Sequence, residues 1–473
     1  MNKLKHLLWR VGFGPRTKSW QKWMELPPES WWPKLKDESA PAPIHFDIAS
    51  GAINGLLMGI GEAGKMERRQ LSGEEKKQLR QQSREDLQSL NLLWLEEMTH
   101  SKAQLREKMA LFWHGHFASR NLNILYQQQL LAIIREHALG NFRDLLRDVS
   151  KSAAMLAFLN NQQNKKQHPN ENFAREVMEL FTLGRGHYSE TDIREAARAF
   201  TGWGFKLDGE FVFRKFNHDT GEKTVLGKTS NFDGDDVLDI LLQQRQTAYY
   251  IAGKLYRFLV NETLIPEDRI KWLGDRFYES NYEIMRLLND IVQSDWFYDE
   301  ENVGVNIKSP VQYLVGIRRA LPLELAEPEV QLILQKALGQ VLFYPPNVAG
   351  WAGGRNWIDS SSLMLRLRIP QLLYANQEFD IRTKSDDDQQ MGRSAANRRQ
   401  RFSAIIDWKP VNQLFNKIAE NQLIPEMANY LWQCPTQNLP VNVLERNTDR
   451  KNREAFLNAA FIQVMATPEY QMC

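Results

Sequence analysis

Apolar residues recur at helical spacing along most of the chain. Met109, Phe112 and Trp113 form one such stripe, and the stretch 125–138 repeats the pattern. A side chain returns to the same face of an α-helix about every 3.6 residues, so a stripe of this kind indicates a helix that is buried on one face. Helical patterns return from residue 235 onward. Together they predict a mainly α protein, a large multi-helix globular domain.

Strict alternation of apolar and polar residues appears at one place in the chain. The runs EFVFRKF (210–216) and KTVLG (223–227) flank a polar segment that contains Gly221. Two alternating runs joined through a glycine-containing turn are typical of a β-hairpin. The sequence therefore predicts one small β-hairpin near residues 210–227.

One polar segment interrupts the pattern near the end of the chain. Residues 382–401 show no periodicity and contain almost no apolar side chains. Such a composition is typical of a mobile insertion, because it buries too little apolar surface to offset the entropy of ordering. We expect a main helical domain over 1–380, an insertion over 381–402, and a C-terminal helical segment over 403–473 that packs on the main domain.

Composition adds several exclusions to this picture. The chain has 473 residues, 42% of them hydrophobic, with 14 Trp and 23 Phe to fill a core. Its 60 basic and 58 acidic residues give a net charge of +2, so no general attraction to nucleic acid is expected. No apolar run approaches the length of a membrane-spanning helix. The short apolar runs at the N-terminus lack a signal-peptide core and predict a cytoplasmic protein.

A polar stripe on the helix that starts near Asn170 is the first candidate site. Asn172, Arg175, Glu176 and Glu179 stand at i, i+3, i+4 and i+7, and therefore share one face. We assign Glu176 and Glu179 as candidate catalytic acid and base, and Asn172 and Arg175 as candidate substrate-binding residues. The alternative is a solvated face with intrahelical ion pairs, or a buried structural salt bridge.

Two histidines, His114 and His116, are the candidate metal ligands. In an extended segment their side chains would share a face and could chelate one divalent metal, the candidate cofactor. In a helix they would point about 200° apart. The apolar spacing before them favours a helix, in which His116 continues the buried stripe as a core histidine.

The predicted hairpin adds a second group of titratable residues. His218, Asp219 and Lys223 lie within six positions, and we include all three as candidate catalytic residues. An aspartate next to a histidine can orient the imidazole as a base or a ligand. The alternative is that Asp219 only forms the turn.

The loop PPNVAGWAGGRNW at residues 345–357 is the last candidate. Its prolines are rigid and its glycines flexible, and Asn347, Trp351 and Trp357 are candidate substrate-binding residues. The indole rings could wall a pocket or stack on a planar or sugar ligand. Packing of the two tryptophans beneath the loop is the alternative.

Five segments of the chain resemble the bacterial domain of unknown function 1800 family, and together they cover nearly all of it. They are HLLWRVGFGP near the start, FWHGHF (112–117), NENFAREVMELFTLGRGHYSETDIREAARAFTGW (170–203), FNHDTGEKTVLGKTSNFDGDDVLDIL (216–241) and LGQVLFYPPNVAGWAGGRNWIDSSSLMLR (338–366). The resemblance implies no established reaction. It also implies relatives that are often exported, whereas this chain starts almost at the first motif.

Two functional hypotheses follow. The first is an enzyme, a metal-dependent hydrolase whose site combines the carboxylates, the histidines and the hairpin residues. It requires Glu176 and Glu179 to face inward, toward His218 or the turn at His114 and His116. We expect this orientation because much of the remaining circumference of that helix is apolar. The second hypothesis is a non-catalytic binding or assembly protein that works with a partner protein.

The predicted insertion gives a direct test. Limited proteolysis should cut first within residues 382–401, because an exposed segment without a buried face reaches a protease most easily. Mass spectrometry of the earliest fragments measures the cut. Loss of folding after deletion of this segment would contradict the prediction.

Overall fold

The computed structural model describes residues 3–49, 73–375, 378–379, 400–401, 403–436, 439–446, 448 and 452–473. Within these ranges the chain is mainly α-helical and its strands form only two-stranded sheets. The predicted fold class is therefore confirmed. Almost all of the predicted insertion over 381–402 lies outside the described residues. No helix in the described ranges is long and apolar enough to cross a membrane.

The described helices are numbered in chain order. They are α1 (Lys3–Arg10), α2 (Trp20–Met24), α3 (Pro28–Ser39), α4 (Gly73–His100), α5 (Gln104–His116), α6 (Ile124–His137), α7 (Phe142–Lys151), α8 (Ala153–Phe158), α9 (Glu171–Glu176), α10 (Glu190–Ala199), α11 (Gly234–Leu242), α12 (Arg245–Leu259), α13 (Glu267–Glu279), α14 (Ile284–Val292), α15 (Pro310–Ala320), α16 (Val330–Leu338), α17 (Ser360–Ala375), α18 (Lys409–Phe415), α19 (Leu423–Leu431), α20 (Val441–Arg446) and α21 (Arg453–Met465). A π-helical turn, Val177–Thr182, continues α9.

Helix α4 connects the first and second halves of the core. It packs against α5 and α6, which follow it in the chain, and against α15 and α16, which lie more than 200 residues away. Its residues Leu90, Trp94 and Leu95 are fully buried. Apolar side chains from both halves thereby join one hydrophobic cluster.

Residues after 403 contact the preceding part of the chain at several places. Strand β8 (Ala404–Ile406) pairs antiparallel with β5 (Leu323–Leu325), and α21 packs against α17. Near the C-terminus, the Asn306 and Cys473 main chains exchange hydrogen bonds of 3.2 and 2.8 Å. The C-terminal helices thus pack directly on the helical core. Strands β6 (Glu378–Phe379) and β7 (Gln400–Arg401) form a further short pair.

The structure differs from the predicted hairpin in its strand pairing. Strand β1 (Trp203–Phe205) pairs with β2 (Phe211–Phe213), and β3 (Lys223–Val225) pairs with β4 (Lys228–Ser230). Two short hairpins therefore replace the single one expected over 210–227. The second hairpin turns at Leu226 and Gly227, whose φ angles are 47° and 78°. Two consecutive positive φ values match the right-handed twist of paired strands, and this local geometry favours the later pairing.

A buried carboxylate joins four parts of the fold. Glu107 on α5 is fully buried and accepts hydrogen bonds from Arg135 on α6, at 2.9 and 3.0 Å, and from the indole of Trp94 on α4, at 2.9 Å. Arg106 lies 3.3 Å from the same carboxylate. Arg135 also donates to the Ile44 carbonyl oxygen at 2.6 Å. The segment before α4 is thereby held against α5 and α6.

We predict that Glu107→Gln lowers the free energy of unfolding by about 3 kcal/mol, because it leaves a buried guanidinium without its counter-charge. Urea unfolding measures the change. The control is Glu210→Gln, which removes an exposed ion pair with Lys206 and should change stability by less than about 0.5 kcal/mol. Equal effects of the two substitutions would contradict the structural role of Glu107.

Candidate functional site

A cavity of about 500 Å³ lies between α1, α5, α12 and the loop that contains Trp351 and Trp357. Its size falls in the usual range for small-molecule sites. The apolar part of its wall is largely aromatic, with Trp9, Phe112, Phe258, Trp351 and Trp357 beside the aliphatic Leu111, Ile307 and Ala349. Both tryptophans that the sequence suggested as ligand contacts therefore line a cavity. Trp351 is half-buried and Trp357 is buried.

The charges around this cavity are mostly positive. Of its described lining residues one is acidic, Glu262, and five are basic: Arg10, Lys108, Lys254, Arg257 and Arg355. Arg257 and Arg355 are exposed and form the rim, whereas the other three cations lie deeper. Glu262 accepts a weak hydrogen bond from the Ile307 amide at 3.4 Å, and burial raises the pKa of its carboxyl. We call this site the basic cavity.

Arg10 is the most deeply buried cation of the basic cavity. Its side chain is 1% exposed, and its Nη2 donates to the Asn302 carbonyl oxygen at 2.5 Å. Its Nε and Nη1 have no hydrogen-bond partner among the described residues. Burial lowers the pKa of this guanidinium, and the charge interactions of Cys473 and, to a lesser extent, Glu262 oppose the shift. Arg10 lines the cavity, and several of its N–H donors therefore have no acceptor among the described residues.

Two lysines project from neighbouring helices into the same space. Lys108 is buried and donates to the Trp9 carbonyl oxygen at 3.1 Å, and burial lowers its pKa to about 7. Lys254 is half-buried and lies 2.8 Å from His116 Nδ1. Burial, followed by the charge of Arg257, lowers the pKa of Lys254 to about 8. Both amines lose their protons far more easily than an exposed lysine does.

His116 has a defined orientation at the edge of the basic cavity. Its Nε2 is 3.2 Å from the Phe181 carbonyl oxygen, so this nitrogen carries the proton and donates. Its Nδ1 is then an acceptor for Lys254. Burial and the charge of Lys254 hold the pKa of His116 well below its usual range. The ring stacks on Phe112 with an interplanar angle of 10°.

The structure does not bring His114 and His116 together as metal ligands. Both residues lie within α5, where side chains two residues apart point in different directions. His114 Nε2 accepts a hydrogen bond from the Phe343 amide at 3.1 Å, and its ring packs against Trp94. Burial lowers the pKa of His114 to about 3. Among the described residues, no three His, Cys, Asp or Glu side chains are placed to bind one metal.

The acidic stripe expected on the helix after Asn170 is divided among separate partners. Glu179 lies in the π-helical turn and accepts hydrogen bonds from Arg185 Nε and the Tyr188 hydroxyl, both at 2.5 Å. The π turn widens the helix and removes the i+7 relation on which the stripe depended. Among the described residues, no hydrogen bond or ion pair links Glu179 to His218, His114 or His116. Its inward orientation toward those histidines is therefore not observed.

The other three members of the stripe have local roles. Arg175 pairs with Glu171 at 3.2 Å and with Glu190 at 2.7 Å. It therefore acts on Glu176 and Glu179 only as a nearby charge that lowers the pKa of both carboxyls. The Asn172 amide donates to the Leu159 carbonyl oxygen at 3.2 Å. Glu176 is half-buried, and burial followed by the charge of Glu179 raises the pKa of its carboxyl.

The three candidates between β2 and β3 are held by structural contacts. His218 is buried against Thr201, with Nδ1 3.0 Å from the Thr201 carbonyl oxygen. Asp219 pairs with Arg198 at 2.8 Å. It also accepts from the Gly221 amide at 2.8 Å, which is the turn-forming role considered above. Lys223 is buried and donates to the Gly221 carbonyl oxygen at 3.0 Å. The residues thus stabilise this segment.

The loop that carries the two tryptophans is fixed by a close backbone approach. Asn347 Oδ1 accepts a hydrogen bond from the Ala349 amide at 2.9 Å, so Asn347 shapes the turn and is not among the described cavity-lining residues. Gly350 has a φ of 80°, and a Cβ atom there would lie 2.4 Å from the Gly115 carbonyl oxygen. The loop therefore packs directly on the end of α5.

The main cations of the basic cavity were missed by the sequence analysis. Arg10 and Lys254 stand in the mainly apolar runs LLWRVGF and IAGKLYRF, whereas Lys108 follows Arg106 and Glu107 at the start of KMALF. A cation in or beside an apolar run is also found with its stem buried and its head in water, so the pattern alone does not distinguish the two cases. Their convergence depends on the packing of α1, α5 and α12.

We predict that the free energy of unfolding rises with pH between about pH 7 and pH 10 in part because of Lys108. The folded pKa is about 7 and the ordinary value is 10.5, so in this window the unfolded chain binds more protons. The contribution is lost as the pH falls through this range, with a slope of at most about 1.4 kcal/mol per pH unit. Urea unfolding should give a shallower slope for Lys108→Met. The exposed control Lys271→Met should keep the original slope, and an unchanged slope in Lys108→Met would contradict the prediction.

Comparison with known proteins identifies the family of the chain. Curated proteins and solved structures give no match. A family model described as "Protein of unknown function (DUF1800)" matches residues 6–472. This match includes every helix that lines the basic cavity as well as the five segments noted in the sequence. The chain belongs to the DUF1800 family of proteins of unknown function.

Proposed function

We propose that this protein binds a small anionic organic molecule in the basic cavity. The single observation that supports the proposal is Arg10, a buried guanidinium with Nε and Nη1 unpartnered among the described residues. Leaving buried N–H donors without acceptors is costly, and an anion is the acceptor that suits a guanidinium best. Carboxylate, phosphate and sulfonate groups all match its planar set of donors.

The remaining cations extend this argument. Lys108 and Lys254 lie in the same wall, and the groups that oppose the five lining cations are the carboxylate of Glu262 and Cys473, which acts on Arg10 and Lys108. Positive charges that line a cleft with low-dielectric walls reinforce one another and raise the local concentration of anions. Arg257 and Arg355 at the rim would act on a ligand before it enters.

The aromatic side chains of the basic cavity indicate the chemistry of the non-acidic part of the ligand. Trp9, Trp351 and Trp357 offer flat apolar surfaces beside the cations. Aromatic rings stack on planar groups and cover aliphatic ones, so the favoured ligand has an apolar or planar body with an acidic group at one end.

A metal-dependent hydrolase receives less support than anion binding. That hypothesis depended on His114, His116, Glu176 and Glu179 as one cluster, and each of these side chains has its own surroundings in the fold. Anion binding is compatible with both an enzyme and a binding protein. The basic cavity is the place where we expect either activity to reside.

Titration calorimetry with naphthalene-2-sulfonate tests the proposal, with neutral 2-naphthol as the matched compound. The sulfonate should bind more tightly than the naphthol. Arg10→Met should weaken sulfonate binding about 10- to 100-fold, the range expected for losing a charge-assisted hydrogen bond of about 1.5–3 kcal/mol. Arg257→Met, at the exposed rim, should weaken binding by a smaller factor and reduce its dependence on salt.

The matched control is Arg194→Met, which removes an exposed arginine that does not line the basic cavity. It should bind the sulfonate as the unmodified protein does. Because Arg10 is buried, circular dichroism first establishes that Arg10→Met folds, and Arg257→Met provides the test if it does not. Equal affinity for sulfonate and naphthol, or variants of the cavity that behave like Arg194→Met, would overturn the proposal.

A further inference from the structure

Lys254 differs from the other cations of the basic cavity in its partner. Its Nζ is 2.8 Å from His116 Nδ1, and the ring of Tyr250 lies 5.4 Å away. No carboxylate of the described residues forms an ion pair with it. Its charged neighbour is Arg257, three positions further along α12. The amine is therefore surrounded by neutral groups and by positive charge.

The hydrogen bond to His116 keeps this arrangement in place. His116 donates through Nε2 to the Phe181 carbonyl oxygen, which leaves Nδ1 as an acceptor. An acceptor nitrogen binds an amine N–H in both protonation states of the lysine, so loss of the proton does not break the contact. Burial together with Arg257 lowers the pKa of Lys254 to about 8. A sizeable fraction of the amine is consequently neutral near neutral pH.

The side chains of Lys254 and Lys108 differ in their exposure. Lys108 is 2% exposed and its amine is bound to the Trp9 carbonyl oxygen and lies over the Phe258 ring. Lys254 is half-buried and lines the basic cavity, so its side chain is more accessible to a molecule in the cavity than that of Lys108. A neutral, accessible amine in an apolar site is the arrangement in which lysine acts as a nucleophile.

We propose that Lys254 forms an imine with the carbonyl group of an anionic aldehyde or ketone bound in the basic cavity. The proposal rests on the proposed anion site, because the acidic group of the ligand would be held by Arg10. The Nζ lone pair attacks the carbonyl carbon, a C–N bond forms, and the carbonyl oxygen takes up a proton. That oxygen then leaves as water, so the two hydrogens of the neutral amine and the oxygen form H₂O and a C=N bond remains.

His116 is a positioning residue in this step. Its Nδ1 holds the amine by a hydrogen bond, and its own place is set by Phe181 and by stacking on Phe112. The imidazole touches the reacting amine and supplies no atom to the product.

Reductive trapping with pyridoxal 5′-phosphate tests the proposal. This compound is used as a probe, because it combines an aldehyde, a planar ring and a phosphate. The folded protein is incubated with it and reduced with borohydride, and peptide mass spectrometry locates the modified lysines. Lys254 should be modified at least about tenfold faster than the exposed Lys271. The rate at Lys254 should rise with an apparent pKa of about 8.

Two related compounds and two variants complete the design. Pyridoxine 5′-phosphate lacks the aldehyde and measures binding alone by calorimetry, whereas pyridoxal lacks the phosphate. Lys254→Arg should remove the fast-reacting position, and the matched Lys271→Arg should leave fast modification of Lys254 intact. Arg10→Met should slow the reaction of the phosphate compound and leave that of pyridoxal nearly unchanged.

The outcomes separate this proposal from the previous one. If pyridoxine 5′-phosphate binds but Lys254 reacts no faster than Lys271, or if Lys108 reacts faster than Lys254, imine formation at Lys254 is overturned and anion binding stands. If pyridoxine 5′-phosphate does not bind and pyridoxal reacts at Lys254 as fast as its phosphate does, the amine is reactive and the anion site is overturned.

Discussion

The structure depends on the solvation of buried cations by main-chain carbonyl groups. Six buried cations of the described residues donate hydrogen bonds to such oxygens, and burial lowers the pKa of each: Lys5, Arg10, Lys108, Lys308, Arg319 and Arg366. The accepting carbonyls come from the start, the middle and the end of the chain, for example at Trp9, Asn302 and Tyr470. These contacts therefore hold distant segments together. A carbonyl group is a dipole without net charge, so the interior next to the basic cavity remains positive.

The buried charge of Arg135 is balanced in a different way, by the carboxylate of Glu107. There a carboxylate compensates Arg135 directly, and Trp94 supplies a further donor to the same group. The ion pair with Glu107 satisfies Arg135 inside the core. In the basic cavity, by contrast, Nε and Nη1 of Arg10 have no acceptor among the described residues. The contrast suggests separate roles for the two groups, because a cluster that only stabilised the fold would gain most from an internal counter-charge.

The sequence predicted the helices of this protein better than the contacts between them. Periodicity identified the helices around Met109 and Phe112, and the glycine- and tryptophan-rich loop directed attention to Trp351 and Trp357, which do line the cavity. The predicted acidic stripe is not observed as one face, because a π turn, which periodicity does not indicate, places Glu179 next to Tyr188. The basic cavity could not be predicted, because its cations lie far apart in the chain. The net charge of the whole chain is only +2, so it gives no sign that these cations cluster.

The contact between Gly350 and Gly115 has a consequence for the size of the basic cavity. Because a side chain at residue 350 would collide with the main chain at the end of α5, a change there requires a compensating displacement of α5 or of the Trp351 segment. Such a displacement would alter the width of the opening. The dimensions of the basic cavity are thus coupled to backbone proximity between two segments 235 positions apart in the chain, Gly115 and Gly350, so a change of cavity size at one segment requires a matching change at the other.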